Sequence, residues 1–510
     1  MFARASLWVI LSFFIFQLNS CNDDFDQTVF NSGNLIFSRD TIYLDTVFTN
    51  ISSSTRTLKI YNKSNNNITI PNIQLGRGND SFYRLNVDGI SGKYFQNIDI
   101  LAKDSLYIFI EATIDFNLVT NPIYTDSIVF DTGENLQDVK LVTLVQDAHF
   151  LFPKRDAQGI KEKIILGFND EGDEISIKGF YLDGNTTWQN DKPYVVYGYV
   201  GVEENSTLTI EKGVRVHFHK NSGLIVEKNA SLKINGELNE KVVFEGDRLE
   251  PIYSDIPGQW GVIWLKAGSK NHVINYAIIK NNTLGILMDS VGSLSGPTLK
   301  LLNTQIYNTS TFGVLARNTN ILGENLVIGN NGMASLACVS GGTYNFKHTT
   351  FANYWNHSIR QYPAVLINNF LLTGNSNDSE SNLTNDLIEA NFTNCIIDGN
   401  QNIELILEMS EGSVFNYNFK NNLIKFDDSN GNFSNHPLYN FEDENHYQNN
   451  IFNGDPNFKN VSNNEFIIGE ISDAINKADN DTALQIPLDI LGVSRTTLPD
   501  IGSYQHIIFE

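Results

Sequence analysis

The 510-residue sequence predicts an all-β protein, a β-sandwich followed by a parallel β-helix, and three observations carry that reading. Between residues 31 and 148, apolar and polar residues alternate in short runs separated by turn clusters, the period of two expected of strands. From about residue 195 the runs shorten and recur in a larger period of 22 to 27 residues. Several short strands in such a period mean stacked coils, because no single coil buries its own apolar face. The corners between those runs are rich in asparagine, which tolerates the left-handed backbone of a tight turn.

The first twenty residues stand outside the fold. Arg4 supplies a positive charge, and Leu7 to Phe16 is almost wholly apolar, too short to span a bilayer and matched to a signal-peptide core. Leu18-Asn19-Ser20-Cys21 resembles a bacterial lipobox, in which cleavage precedes the cysteine and the thiol carries lipid. The resemblance implies lipidation at Cys21 and anchoring in outer-membrane lipid. Residues 21–30 form an acidic tether, and Asn22-Asp23-Asp24-Phe25-Asp26 resembles the signal that exposes Bacteroidetes lipoproteins on the cell surface.

Loss of residues 1–20 removes one Arg from 35 basic residues and none of the 58 acids, leaving a net charge of −24. No Lys/Arg cluster stands against that background, so no nucleic-acid partner is expected, since phosphate binding needs a basic footprint. Beyond Cys21 only Cys338 and Cys395 remain, which excludes a disulfide framework and a Cys-rich zinc site.

Within 31–148, Leu106, Ile108, Ile110, Ala112 and Ile114 alternate with Tyr107, Phe109, Glu111 and Thr113. Leu58/Ile60, Ile68/Ile70, Ile128/Phe130 and Leu141/Thr143/Val145 supply further strands, about seven in all, a number that suggests a sandwich. Asp45-Thr46-Val47-Phe48 followed by Leu58-Lys59-Ile60-Tyr61-Asn62 resembles immunoglobulin-like modules of the abnormal-spindle/Hydin type.

Residues 149–194 read as a linker and cap leading into the β-helix at 195–465, with a closing segment at 466–510. Leu208-Thr209-Ile210 recurs as Leu232-Lys233-Ile234 after 24 residues. Ile279, Ile306, Ile328 and Phe351 follow at intervals of 27, 22 and 23, Ile397 lies 46 further, about two periods, and Ile424 another 27. This register places Cys338 and Cys395 on different sheets and several coils apart, beyond the roughly 7 Å a disulfide allows, so both are expected as buried free thiols. Thr207 to Val214, Gly258-Gln259-Trp260-Gly261-Val262-Ile263 and the tail from Pro487 to Tyr504 resemble the right-handed parallel β-helix lipoproteins of Bacteroidetes, with the pectin-lyase-like fold. Trp260, inside that motif, is expected in the core, and Arg495 with Asp489 and Asp500 as a closing ion pair.

That fold also serves carbohydrate-active enzymes, whose lyases bind calcium through clustered acids beside a basic residue and whose hydrolases use paired carboxylates. The catalytic candidates are Asp398, Asp427 and Asp428, with Arg317 or Arg360 as base. His217 and His219 share one strand face, outward if Val214, Val216 and Phe218 point inward, and form a candidate metal pair with no third ligand evident. Asp170 and Asp173, in Asn169-Asp170-Glu171-Gly172-Asp173-Glu174, are candidate calcium ligands against the plainer reading of a charged turn. Trp355, with Tyr354 and Tyr362 nearby, is a candidate glycan-stacking platform. No cofactor other than calcium is implied.

The expectation is therefore a non-catalytic surface lipoprotein whose β-helix binds a glycan or another envelope component. The alternative is a polysaccharide lyase or glycoside hydrolase, and fold alone does not choose between them.

Overall fold

A computed structural model describes residues 28–289, 296–372 and 382–509. Cys21 and its tether therefore lie outside the described residues. The chain divides into two compact units at Asp147/Ala148.

The first unit is a β-sandwich of two sheets. One runs, in spatial order, through Ile36–Phe37, Arg56–Tyr61, Ser105–Ala112, Tyr83–Val87 and Ile90–Gly92. The other holds Asn67–Leu75, Ile123–Phe130, Gln137–Gln146 and Thr41–Phe48, with Thr28–Phe30 and Tyr94–Ile100 beside Asn67–Leu75. The inward residues of both sheets, among them Ile60, Ile70, Ile108, Phe130 and Leu141, form a single core. Every strand expected here is present, and Tyr83–Val87 and Tyr94–Ile100 join them.

The second unit is a parallel β-helix. Among the described residues, eleven parallel strands from His149–Leu151 to Ile451–Phe452 form one face, and a larger sheet holds the other two faces as adjacent columns. Val314–Glu324 and Leu336–Lys347 are long enough to take part in both columns. The column expected from sequence is the observed one. Ile279 pairs with Ile306, then Ile328, Phe351, Ile397 and Ile424. Asparagines at positive φ turn the corners next to these strands, as at Asn281 (+65°), Asn303 (+47°), Asn325 (+54°) and Asn394 (+58°). Cys338 and Cys395 are free and buried.

Three expectations need correction. Parallel pairing begins before residue 195, at His149 on one face and Gly179 on another, so the segment read as linker already builds coils. The 46-residue interval is not two coils. Phe351 pairs directly with Ile397, and the surplus residues form insertions, the loop around 354–364 and the hairpin of Phe370–Leu372 with Asn382–Thr384.

The tail, lastly, runs back along the flank of the helix. Phe466, Ile490 and Tyr504 pack on Val327 and Ala352, Ser503 bonds Thr350 at 2.9 Å, and Asn325 Nδ2 donates to the Leu488 carbonyl at 2.9 Å. The outward positions it covers are small or apolar, so without it they would meet water. Within the tail Arg495 is fully buried and donates to the Ser503 carbonyl at 3.2 Å. Asp489 and Asp500 accept backbone N–H groups, from Leu491 at 2.8 Å and Asn476 at 2.8 Å, instead of closing a direct ion pair. Their field nevertheless raises the pKa of Arg495, which burial lowers to about 10.

Candidate functional site

In a β-helix every other residue of a strand points out of the coil. On one column of the larger sheet the outward residues stack in register as Ile225, Trp264, Leu287, Leu315, Ala337, Leu366 and Ile406. An apolar outward column requires a cover. At its start the cover is the antiparallel hairpin of Lys163–Phe168 and Glu174–Leu182, whose Ile164, Leu166 and Ile177 pack with Ile225 and Trp264. Further along, Leu315, Ala337, Leu366 and Ile406 floor an open groove of about 910 Å³.

Aromatic side chains wall that groove. Phe312 and Tyr362 precede their strands and meet edge to face at 5.9 Å. From the segment after Asp428 come Phe433, His436 and Tyr439. The Tyr439 hydroxyl accepts from the Leu407 N–H at 2.8 Å and donates to its carbonyl at 3.0 Å, so this wall is fixed to a floor strand by backbone bonds. Gln361, Asn368 and Glu408 add polar groups. An apolar concavity with a few placed polar groups is the ordinary form of a ligand site.

Two residues beyond the apolar column lies a row of charges. Lys266 pairs with Glu227 at 2.7 Å and Arg317 with Asp289, while Trp264 Nε1 donates to Asp289 at 2.6 Å and the Tyr181 hydroxyl to Glu227 at 3.1 Å. In the groove this row continues as Val339, Asn368 and Glu408. Arg317 is thus held by Asp289, and its register neighbour Val339 is the first of the row to line the groove.

The other catalytic candidates lie away from the groove, most of them engaged by neighbouring groups. Arg360 is buried, binding Glu404 through two nitrogens and donating to the Asn353 carbonyl at 2.9 Å and Asn400 at 2.7 Å. Asp398, 4% exposed, accepts the Tyr354 hydroxyl at 2.8 Å. Asp428 accepts the N–H groups of Asn432 and Phe433, both at 2.8 Å, as a turn residue does, and Asp427 is exposed beside it. None of these residues lines the groove.

The metal candidates separate as well. His217 is buried with its Nδ1 3.2 Å from the Gly246 carbonyl, and desolvation lowers its pKa. His219 is half exposed, bonds Asp247 at 2.7 Å and is raised by it. The expected pair of exposed imidazoles is thus corrected by burial of one of them. Asn169 accepts the Asp173 N–H at 2.7 Å in the turn that holds Asp170, the arrangement of a hairpin tip. Among the described residues no group of three or more His, Cys, Asp or Glu side chains is placed to hold a metal ion.

Of the stacking candidates Tyr362 lines the groove described above. Trp355, 5% exposed, donates to Ser358 at 2.9 Å, and Tyr354 stacks on Phe466 at 6.5 Å, so both pin the insertion and the tail. Trp260 is buried as expected and stacks on Phe218 at 4.5 Å.

The sequence held one overlooked signal. Val314-Leu315-Ala316, Leu336-Ala337-Cys338-Val339, Val365-Leu366-Ile367 and Leu405-Ile406-Leu407 are continuous apolar runs, and a solenoid strand with one inward face needs only alternation. Such runs mark where the outer face is apolar as well, here as the floor of the groove.

Residues 179–283 match the family model of the pectate-lyase-like β-helix domain, which covers the early coils. No curated protein matches the chain. A solved family 123 glycoside hydrolase from Clostridium perfringens is similar over 22% of this chain and 26% of that one, at 9% identity and a TM-score of 0.17. The chain thus spans about a quarter of that structure.

Proposed function

We propose that this chain is an outer-membrane lipoprotein, anchored through Cys21 and exposed at the cell surface, whose β-helix binds a glycan in the outward groove without cleaving it. The observation that carries the reading is the open groove itself, an apolar floor walled by Phe312, Tyr362, Phe433 and Tyr439. The rings of Tyr362, Phe312 and Phe433 are placed to receive the apolar faces of sugar rings, and the exposed Gln361 and Glu408 offer partners to hydroxyl groups. The non-catalytic part rests on the engagement of Arg360, Asp398 and Arg317 with Glu404, Tyr354 and Asp289.

Affinity electrophoresis of the non-lipidated Cys21→Ala chain in gels containing soluble polysaccharides tests the binding. Retardation that Tyr362→Ala weakens by roughly tenfold in Kd, with no release of reducing ends, is the expected result. Equal mobility in every gel sinks the glycan reading, and new reducing ends sink the non-catalytic one. Incorporation of radiolabelled fatty acid into the wild-type chain, abolished by Cys21→Ala, tests the anchor.

A further inference from the structure

The sandwich carries an arrangement of its own on the outward face of the sheet containing Ser105–Ala112. Leu106, Ile108, Ile110 and Ala112 point into the core, leaving Tyr107 and Phe109 outward at 47% and 44% exposure. Cross-strand register places Thr57, Phe109 and Asn86 in one row, with Glu111 opposite Arg84 in the next. Together Phe109, Arg84, Glu111, Asn86, Ser91 and Thr55 line a cavity of about 380 Å³.

The polar groups around Phe109 are held by one another. Arg84 donates through Nε and Nη2 to one oxygen of Glu111, at 3.0 and 2.7 Å, and through Nη1 to Thr113 at 2.8 Å. Thr55 donates to the other oxygen of Glu111 at 2.5 Å, and Asn86 to Ser91 at 3.1 Å. The bonds from Thr55 and Arg84 keep Glu111 below the usual carboxylate range, so the pair stays ionised and its charges cancel. A site prepared for an anion would leave the guanidinium free, and one for a cation would leave the carboxylate free. Here the surface presents an open ring beside planar, oriented and locally neutral polar groups.

The two exposed rings are not equivalent. Lys59 Nζ lies over the ring of Tyr107 at 5.0 Å and over that of Tyr61 at 5.1 Å, whereas no cation lies over Phe109 among the described residues. Phe109 is the ring left open to a ligand.

We propose that this face is a second binding site, taking an uncharged pyranose ring or short neutral oligosaccharide stacked on Phe109, with its hydroxyl groups on the Arg84–Glu111 pair and on Asn86. The cavity is at the lower end of the range for small-ligand sites, which suits one or two sugar rings. The site lies wholly within the sandwich and does not depend on the groove of the β-helix.

The test uses the full chain with Cys21→Ala and Tyr362→Ala, which weakens the groove, in gels containing soluble neutral β-glucan, mannan or xylan and, separately, anionic polygalacturonate. Retardation by a neutral polymer is expected, weakened roughly tenfold in Kd by Phe109→Ala, restored by Phe109→Trp and unchanged by Tyr107→Ala. Rescue by tryptophan separates a stacking platform from a fold defect. No retardation by any neutral polymer, retardation indifferent to Phe109→Ala, or Phe109-dependent retardation by polygalacturonate alone each overturns the proposal.

Discussion

Tyr354 donates its hydroxyl to Asp398 at 2.8 Å, joining residues 44 apart in sequence. Their backbones meet because Asn353, the preceding residue, pairs with Gly399 on the neighbouring coil. The bond is part of what holds the large insertion of this coil to the next one. Nearby, Arg360 from the insertion reaches Glu404, and Gln401 Nε2 donates to the Arg360 carbonyl at 2.6 Å. Asp398 and Arg360 thus fasten the insertion to the next coil.

Asp398 makes the fastener sensitive to pH. Burial pushes its pKa up from 3.8 to about 6, against the pull of the Tyr354 hydroxyl and Lys425. The native state therefore holds its proton more tightly than the unfolded chain. The resulting stability is full below pH 3.8 and is lost as pH rises through 6, a change on the order of 2–3 kcal/mol. Asp398→Asn keeps the oxygen that accepts from Tyr354 and Gly399 without the ionisable group. Urea midpoints of this variant, measured from pH 4 to 7, are expected to gain on wild type as pH rises. A constant difference would show that Asp398 does not titrate in this range.

The Arg360–Glu404 pair is the most deeply buried ion pair among the described residues, its side chains 1% and 0% exposed. Removing one member of such a pair leaves an uncompensated charge and costs about 3–5 kcal/mol. Arg360→Met is expected to lower stability by that amount, and adding Glu404→Gln should recover part of it by removing the stranded carboxylate. Denaturant melts of the single and double variants check this. A double variant worse than the single would mean that the Glu404 charge matters chiefly to the N–H of Ala364, which it accepts at 2.7 Å.

What the sequence revealed and concealed follows from the repeat. The Ile279-to-Ile424 column was legible because each coil repeats the same inward residue, and the asparagine corners because few other residues adopt their conformation. The 46-residue interval misled because an inserted loop and an extra coil add similar lengths. Trp355 looked exposed because loops usually are, yet its insertion folds back and buries it. His217 alternates with the inward Val216 and Phe218 and so faces outward, but neighbouring groups bury it there. The groove stayed hidden because its walls, Tyr362 and Tyr439, lie 77 positions apart and meet only through stacking of the coils.

The asparagine stack near the last coils fastens each coil to its neighbours. Asn422 Oδ1 accepts the Cys395 N–H at 2.7 Å, its Nδ2 donates to the Phe392 carbonyl at 2.9 Å, and its own N–H donates to Asn450 at 2.9 Å. Asn422→Ala strands buried backbone groups on the preceding coil, at about 1–3 kcal/mol for each. Hydrogen exchange should localise the loss to residues 392–396 and 419–424. Uniform exchange across the β-helix would contradict a local role.

Acid should act on the opposite side of the balance from Asp398. His272 accepts the Leu232 N–H on Nδ1 at 3.1 Å, and its Nε2 lies 3.0 Å from the Ser269 hydroxyl, which itself donates to the Lys266 carbonyl at 2.6 Å. A proton on Nδ1 would face an N–H group, and burial pushes the pKa from 6.5 down to about 3. His348 is fixed the same way, with Nε2 accepting from Asn394 at 2.9 Å and Nδ1 facing the Gly502 carbonyl at 3.2 Å; burial lowers it well below the usual value. Below pH 6.5 the unfolded chain takes up protons that these native imidazoles refuse. Their contribution is therefore intact above pH 6.5 and drains away as pH falls, by about 2 kcal/mol at pH 5 for His272. His272→Gln should lower stability at pH 7 but flatten its decline between pH 7 and pH 5, while Asp398→Asn should steepen that decline. If His272→Gln shifts the urea midpoint equally at both values of pH, the imidazole is not held neutral and the acid sensitivity must come from elsewhere.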